Sequence, residues 1–509
     1  MIGIFLVIIV VILLAWKFFV FHRPSKYPPG PLFRVPFYQQ RMYLSGKDRI
    51  EKQKLLRQQY GDVYSLELGA YATIVVSEFN IMKKLLNNDV FSHRLEISHP
   101  PHRLSLMKQL RGHNGVGIVQ TSGKTWKEQR RFALKHLRDF GLGKQSMEAL
   151  IVDEINELSE KWKQNLQLNE EQTINWTTFN MSILNALWGI VSSRRFDLNN
   201  VEEIEKFEIM NALFNSFGGF SLSTLIAFSL PEFLRKYNTQ FKTMLHRQHH
   251  LYDWFAQEYE THLKTYDENN LRDYIDCYIQ ERQRTEREND TDSSFYGEKG
   301  HWSFVNSMLD LFVAGAETTS STLQWALAYL VHHPEIQSRA QQELDEVVGR
   351  TRLPTLDDRE KLPYLESLIA EIQRCGNVAP FALFHCVDRD IEVDGFLYAK
   401  YSRIMPDLTA ILSDPNNFEN PDEFNPERFL CKETGKFIPH PALVVFGIGK
   451  RECLGKSLAK NELYLFLAGL LHQFSFYPAE KGLPDLKDAS VNITRVPKPF
   501  EIKIVPRKI

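Results

Sequence analysis

The 509 residues are 43% apolar and 12% aromatic, enough to bury a large core in one big domain or several. A formal net charge of -2 excludes the global basic field expected of a nucleic-acid binder. The five cysteines (Cys277, Cys375, Cys386, Cys431 and Cys453) are few, odd in number and scattered, which excludes a disulfide framework and points to a reducing compartment.

Residues 1–21 are almost continuously apolar, interrupted only by Lys17, and long enough to span a bilayer as a helix. Lys17 can snorkel, and Trp16, Phe18, Phe19 and Phe21 suit the interface. His22, Arg23 and Lys26 follow, so the positive-inside rule puts the rest of the chain in the cytosol. A cleaved secretory signal is the competing reading, but a basic lead and a small-residue cleavage motif are both missing. Pro28-Pro29-Gly30-Pro31 reads as a stiff, non-helical hinge. The expected organisation is an anchor over 1–22, a hinge and lead-in over 23–45, and one domain over 46–509.

Alternation predicts strands at Val63–Leu68 and Thr73–Val76, with helix starting near Glu78. Farther on, Trp126 and Arg130 share a helix face at i and i+4; alone, this reads more readily as an arginine stem covering a tryptophan on an ordinary surface helix. Beside them Lys127, Arg131, Lys135 and Arg138 form a basic stripe, either a solvated face or a dock for an acidic partner. Residues 151–282 are mainly helical, broken at Gly218-Gly219, and 284–300 reads as a solvated loop. A long apolar helix from about Trp302 to His333 carries Ala314-Gly315-Ala316-Glu317-Thr318-Thr319. An acid and hydroxyls inside a core helix need partners, and Gly315 with a back-bonding Thr318 predicts a local bulge. Glu371 and Arg374 lie at i and i+3, a spacing most often met in surface ion pairs.

The most informative stretch is Phe446-Gly447-Ile448-Gly449-Lys450-Arg451-Glu452-Cys453-Leu454-Gly455, followed by an amphipathic helical pattern from Lys456 to Phe474. A thiol before a helix N-terminus and beside Lys450 and Arg451 is expected to favour thiolate, the form a metal ligand or nucleophile requires. The glycines let the backbone turn and a flat group approach. Zinc would want further Cys or His ligands at short spacing, and none is near. A buried structural cysteine in a strand–turn–helix connection remains the alternative.

At Phe446, Gly449, Arg451, Cys453 and Gly455 this stretch resembles the haem-binding signature of the cytochrome P450 family, in its eukaryotic microsomal branch. The Trp126/Arg130, Glu317/Thr318 and Glu371/Arg374 stretches occur in that family's order, so the resemblance covers nearly the whole chain. It implies a mainly α fold with a small β-region, preceded by one N-terminal transmembrane helix. It makes Cys453 the axial thiolate of haem b, with Trp126, Arg130, Arg451 and His385 near the propionates and Phe446, Gly449 and Gly455 shaping the loop. Glu317 and Thr318 would line the oxygen site and deliver protons. Glu371, Arg374 and Arg428, the last within Pro426-Glu427-Arg428-Phe429, would form a structural network. A lid over 207–233, the Pro380–Leu383 stretch and a loop at 491–496 would border the cavity. The chain departs from the family at Tyr398-Ala399-Lys400-Tyr401-Ser402, where a proline-lysine-glycine turn is usual.

By the same resemblance the activity is oxygen insertion from O2 into a lipophilic substrate: a steroid, fatty acid, terpenoid or xenobiotic. Electrons would come from NADPH through cytochrome P450 reductase, with cytochrome b5 as a further partner, at the endoplasmic reticulum membrane. The alternatives are an oxygen-independent isomerase or dehydratase acting on a lipid peroxide, and a non-catalytic haem sensor. Bulky Phe217, Phe220, Phe312, Phe381 and Phe384, taken as cavity-lining, predict a restricted substrate range.

Overall fold

The structure, a computed structural model, describes residues 10–11, 25–31, 39, 49–68, 71–94, 111–113, 115–140, 145–166, 171–174, 177–197, 200–217, 237–491 and 493–507. The anchor expected over 1–22 falls outside them apart from Val10 and Val11, as do Gly218, Gly219, Phe220 and most of the expected lid. No helix among the described residues is long and apolar enough to cross a membrane.

The first elements are α1 (Arg49–Tyr60), β1 (Val63–Leu68), β2 (Tyr71–Val76) and α2 (Phe79–Leu86). Glu78 caps α2 by accepting from the backbone N–H groups of Asn80 and Ile81, which is why the helix starts there. Helices then dominate: α3 (Gly123–Phe140), α4 (Gln145–Leu166), the short strand β3 (Glu171–Ile174), α5 (Thr177–Ser192), α6 (Val201–Phe217), α7 (Thr239–Lys264), α8 (Tyr274–Arg287), α9 (Gly297–His332), α10 (Pro334–Val347) and α11 (Pro363–Gly376). Short strands follow, β4 (His385–Cys386), β5 (Ile391–Val393), β6 (Phe396–Tyr398) and β7 (Arg403–Pro406), and then the five-residue α12 (Leu408–Leu412). After the cysteine loop come α13 (Lys456–Gln473), β8 (Phe474–Pro478), β9 (Ala489–Val491), β10 (Arg495–Pro497) and β11 (Phe500–Pro506).

The larger sheet has the order β1-β2-β7-β4. Val63 faces Val76 across the antiparallel β1/β2 pair, β2 runs parallel to β7, and β4 closes the edge with His385 opposite Ile404. This places His385 at the seam between the sheet and the helical part. A second sheet, β3-β11-β8, lies under the C-terminus. The fold is therefore mainly helical with small sheets.

Helix α9 is the axis of the helical core and stays unbroken over its 36 residues. The bulge expected at Gly315–Thr318 is not formed. Thr318 does bond back to Ala314 O, at 2.8 Å, but the ladder tolerates it. Gly315 serves packing instead: a Cβ there would sit 2.8 Å from Leu187 Cδ2, so its absence lets α5 lie close against α9. Asp310, one turn before Ala314, accepts from Arg111 at 3.0 Å and from the N–H groups of Ile118 and Val119 at 2.8 Å each. That carboxylate fastens the segment ahead of α3 to the central helix.

Several expectations need correction. The loop expected over 284–300 spans only 288–296, and Ser293, Ser294 and Phe295 within it are buried. Ser294 N–H donates to Glu128 at 2.8 Å and Gln129 donates to Ser294 Oγ at 3.0 Å, so α3 holds this loop inside the protein. Helix α13 is not amphipathic, since Glu462 through His472 are all buried and it runs through the core. The proline stretch is non-helical but is no free hinge: Ser65 of β1 donates from N–H to Pro29 O at 2.6 Å and from Oγ to Pro28 O at 2.8 Å. Tyr401, in the turn that departs from the family pattern, has φ +67, a left-handed backbone that glycine takes without strain.

Overpacking at the α5/α9 contact should cost about 1–3 kcal/mol. Gly315→Val is expected to lower the thermal midpoint of unfolding, and adding Leu187→Ala should recover most of the loss. Failure of that rescue would show that Leu187 is not what the glycine accommodates.

Candidate functional site

The cysteine loop is closed by the Cys453 N–H, which donates to Phe446 O at 2.9 Å. Gly447 and Gly449 have φ +70 and +76, so both use the left-handed region. They differ in purpose. A Cβ on Gly449 would sit 2.2 Å from Leu86 O, so this glycine docks the loop on α2, whereas open space surrounds Gly447 and Gly455. Gly455 is the N-cap of α13, two residues after Cys453.

The Cys453 side chain is accessible at its surface while protein surrounds it closely, as for a thiol set in the wall of an internal cavity. Burial pushes the thiol above its ordinary range; a backbone N–H of Gly455 and the Arg130 guanidinium pull the other way and do not prevail. The expected thiolate is thus not favoured by the protein alone, because desolvation outweighs the dipole and the nearby cations. A bound metal cation would reverse that balance.

The structure gathers Trp126, Arg130, Arg451 and His385 around this loop. Arg451 lies with its guanidinium 3.8 Å from the Trp126 ring centre. Its Nε donates to Ser92 O at 2.8 Å, and its other nitrogens reach the carbonyls of Ile118 and Thr121. Arg130 Nη2 donates to Glu452 O at 2.6 Å. Trp126 is buried, yet its Nε1–H has no partner. His385 Nδ1–H donates to Phe91 O at 2.7 Å. Burial, reinforced by Arg94 and Arg451, holds this imidazole well below its ordinary range, so it is neutral and presents a lone pair at Nε2.

Arg94 escaped the sequence reading. It is buried, its Nη1 donates to Leu383 O at 2.9 Å and Phe384 O at 2.8 Å, and its Nε has no partner. Burial and the Arg130 charge bring even this guanidinium down to about 10, still fully charged at neutral pH. A single arginine after a short 3₁₀ turn carries no periodic signal; only the approach of β4 makes it part of the cluster.

Among the described residues neither Arg94 nor Arg130 has a carboxylate in an ion pair. Buried cations need an anion, and an unpaired buried N–H needs an acceptor. A haem fits this donor set: a soft sulfur for the iron, and Trp126, Arg94 and Arg130 as donors to two carboxylates.

On α9, Ala314 is exposed and Thr318 half-exposed, while Glu317 between them is buried. Burial raises the Glu317 carboxyl above the ordinary range, opposed by hydrogen bonds from Asn180 and Ser321. A second acid went unnoticed in the sequence. Glu462 of α13 is buried, accepts from Thr319 Oγ1 at 3.3 Å, and has its other oxygen without a partner. Burial pushes it up to about 8. Glu462 follows Lys460 and Asn461 at the edge of the apolar run Leu463–Leu471, so no local signal sets it apart from a solvated acid.

Glu371, Arg374 and Arg428 come together as one buried network. Arg374 grips Glu371 bidentately at 2.7 and 2.8 Å, and Arg428 Nε donates to the same carboxylate at 3.0 Å. The arginines also take the carbonyls of Leu412, Pro421 and Glu423, tying α11 to the stretch before the cysteine loop. The restricted-cavity argument fares worse. Phe312 is fully buried against Trp188, Trp254 and Phe255, and Phe381 and Phe384 pack against the Leu56/Tyr64 cluster beside the sheet. The Phe217 side chain, like Phe220, lies outside the described residues.

The sequence profile of the cytochrome P450 family matches residues 28–504. The chain is 33% identical to cytochrome P450 2J5 of Mus musculus over 491 residues, covering 95% of this chain and 92% of that protein. It is 31% identical to cytochrome P450 18a1 of Drosophila melanogaster over 511 residues, covering 98% and 90%. With cytochrome P450 2J2 of Homo sapiens it shares 32% over 511 residues, covering 98% and 95%. What the fold and site describe is a haem-thiolate enzyme. The chain belongs to the cytochrome P450 family, whose members are monooxygenases that carry haem on a cysteine thiolate.

The Glu462 carboxyl titrates near 4.3 in the unfolded chain and near 8 in the folded one, so the folded state binds the extra proton. Its contribution is fully present below about pH 4.3 and lost as pH rises toward about 8. Glu462→Gln is expected to gain thermal stability on the wild type steadily between about pH 5 and about pH 8, read as the difference in unfolding midpoints.

Proposed function

We propose that this enzyme inserts one atom of O2 into a lipophilic substrate, with electrons passed singly from NADPH through a flavoprotein reductase. Haem, when bound, supplies oxygen activation; the protein contributes position, protons and exclusion of water. Cys453 is the proposed axial ligand, and Trp126, Arg94, Arg130 and Arg451 the proposed hold on the propionates. His385 meets a propionate as a donor only by taking a proton, because its Nδ1–H is committed to Phe91 O.

The observation that carries the reading is the pairing of Thr318 with Glu317 on α9: a hydroxyl on the accessible face and a buried acid one residue away. Thr318 orients the last hydrogen bond, and Glu317 supplies the protons that reduction of oxygen consumes. Ala314, Leu383 and Ile493, apolar and accessible, are proposed to touch substrate. The exposed stripe Lys127, Arg131, Lys135 and Arg138 on α3, beside the face that carries Trp126, is the proposed reductase dock, with cytochrome b5 an alternative occupant. The apolar residues 1–21 followed by basic ones support anchoring in the endoplasmic reticulum membrane with the domain in the cytosol.

Thr318→Ala is expected to raise hydrogen peroxide released per NADPH consumed several-fold while haem content and substrate-induced spin shift stay unchanged. Unaltered coupling would count against the proton role. Reversing the stripe (Lys127→Glu with Arg131→Glu) should raise the KM for reductase at low salt and leave peroxide-driven turnover intact. Full turnover without reductase or O2 would instead select the isomerase or dehydratase reading.

A further inference from the structure

Glu317 has an unusual neighbour. Asn180, in the first turn of α5, is 3% exposed and its side chain donates a hydrogen bond to the Glu317 carboxyl. Its Oδ1, also buried, has no partner. A carboxamide acceptor left alone in a protein interior costs about 1–3 kcal/mol. The neighbouring Glu317 carboxyl can remove that cost by turning a hydrogen toward it, provided it carries one.

We propose that Asn180 is the positioning residue for Glu317: the two side chains form a cyclic amide–carboxylic acid pair. Asn180 Nδ2–H donates to one carboxyl oxygen, and the Glu317 O–H donates back to Asn180 Oδ1. An ionised carboxylate is an acceptor only, so the pair exists as a unit only while Glu317 keeps its proton. The surroundings agree. Glu317 is 9% exposed, and burial favours its neutral form against the donors Asn180 and Ser321. Ser321 adds only a long contact of 3.5 Å. The close α5/α9 approach through Gly315 and Leu187 holds the two backbones at a set spacing.

The arrangement makes the pair a proton store with a latch. While protonated, Glu317 is tied by two hydrogen bonds to α5, away from the accessible Ala314/Thr318 face. Giving up the proton breaks one of the two and returns Asn180 Oδ1 to its unpaired state, so reprotonation is what restores the latch. The functional meaning rests on the proposed proton role of Glu317; the pair itself does not.

The test is the infrared spectrum of the full-length enzyme in phospholipid vesicles at neutral pH, taken as wild type minus Glu317→Gln. A hydrogen-bonded carboxylic acid C=O band is expected, and in Asn180→Leu the same band should shift to higher frequency as its donor is lost. No acid band, or a band unmoved by Asn180→Leu, overturns the pair. If Asn180→Leu does not fold, Asn180→Ala carries the same comparison, and the absence of an acid band in the wild type overturns the pair in either case. Peroxide release by Glu317→Gln reports separately on the proton role: a band with unchanged coupling keeps the pair and removes that role.

Discussion

Buried positive charge without buried negative charge is the constraint around which the site is built. Arg94 is buried and Arg130 half-buried, both with backbone carbonyls as their hydrogen-bond partners. Carbonyl dipoles can solvate a guanidinium but do not cancel its charge, and like charges at this range raise each other's cost in a low-dielectric interior. The fall of Arg94 toward ordinary lysine values expresses that cost. A dianionic cofactor would offset it, so part of the binding energy for haem would come from these cations rather than from the iron–sulfur bond. Arg451 binds three chain segments as it shields the Trp126 ring, and so couples the shape of the cysteine loop to that of the segment secured by Asp310.

The Glu371/Arg374/Arg428 network obeys the opposite rule. There a buried carboxylate is gripped from two sides, and the remaining guanidinium hydrogens find carbonyls. Removing one partner of such a network typically costs about 3–5 kcal/mol, so it acts as a fixed brace for the loop that follows. The two clusters, drawn from distant parts of the chain, set a rigid brace and an electrostatically unsatisfied site in one domain.

Much of this was legible because it is local. The strands at Val63–Leu68 and Thr73–Val76, the helix start near Glu78 and the cysteine loop each leave a short-range pattern. What escaped depends on contacts between distant segments. Arg94 matters through β4, Glu462 through Thr319, and Asn180 through Glu317. Phe312 was misread because its helix is buried nearly all round, so its position in the sequence does not tell which side it faces. The opposition the thiolate meets in the metal-free protein is of a related kind: a helix terminus is visible in sequence, whereas the desolvation that works against it is not.

The clasp between Ser65 and the carbonyls of Pro28 and Pro29 has a mechanical consequence. A chain leaving a globule through a free linker can swing, and a membrane anchor at its end then says little about how the globule is oriented. Here the exit point is stitched to a sheet strand, with Pro28, Gly30 and Pro31 buried beside it. The proline rings remove further backbone freedom. Any upstream segment held in a bilayer would therefore pull on the domain at a fixed point of the sheet rather than at the end of a free linker, which restricts how the domain can tilt.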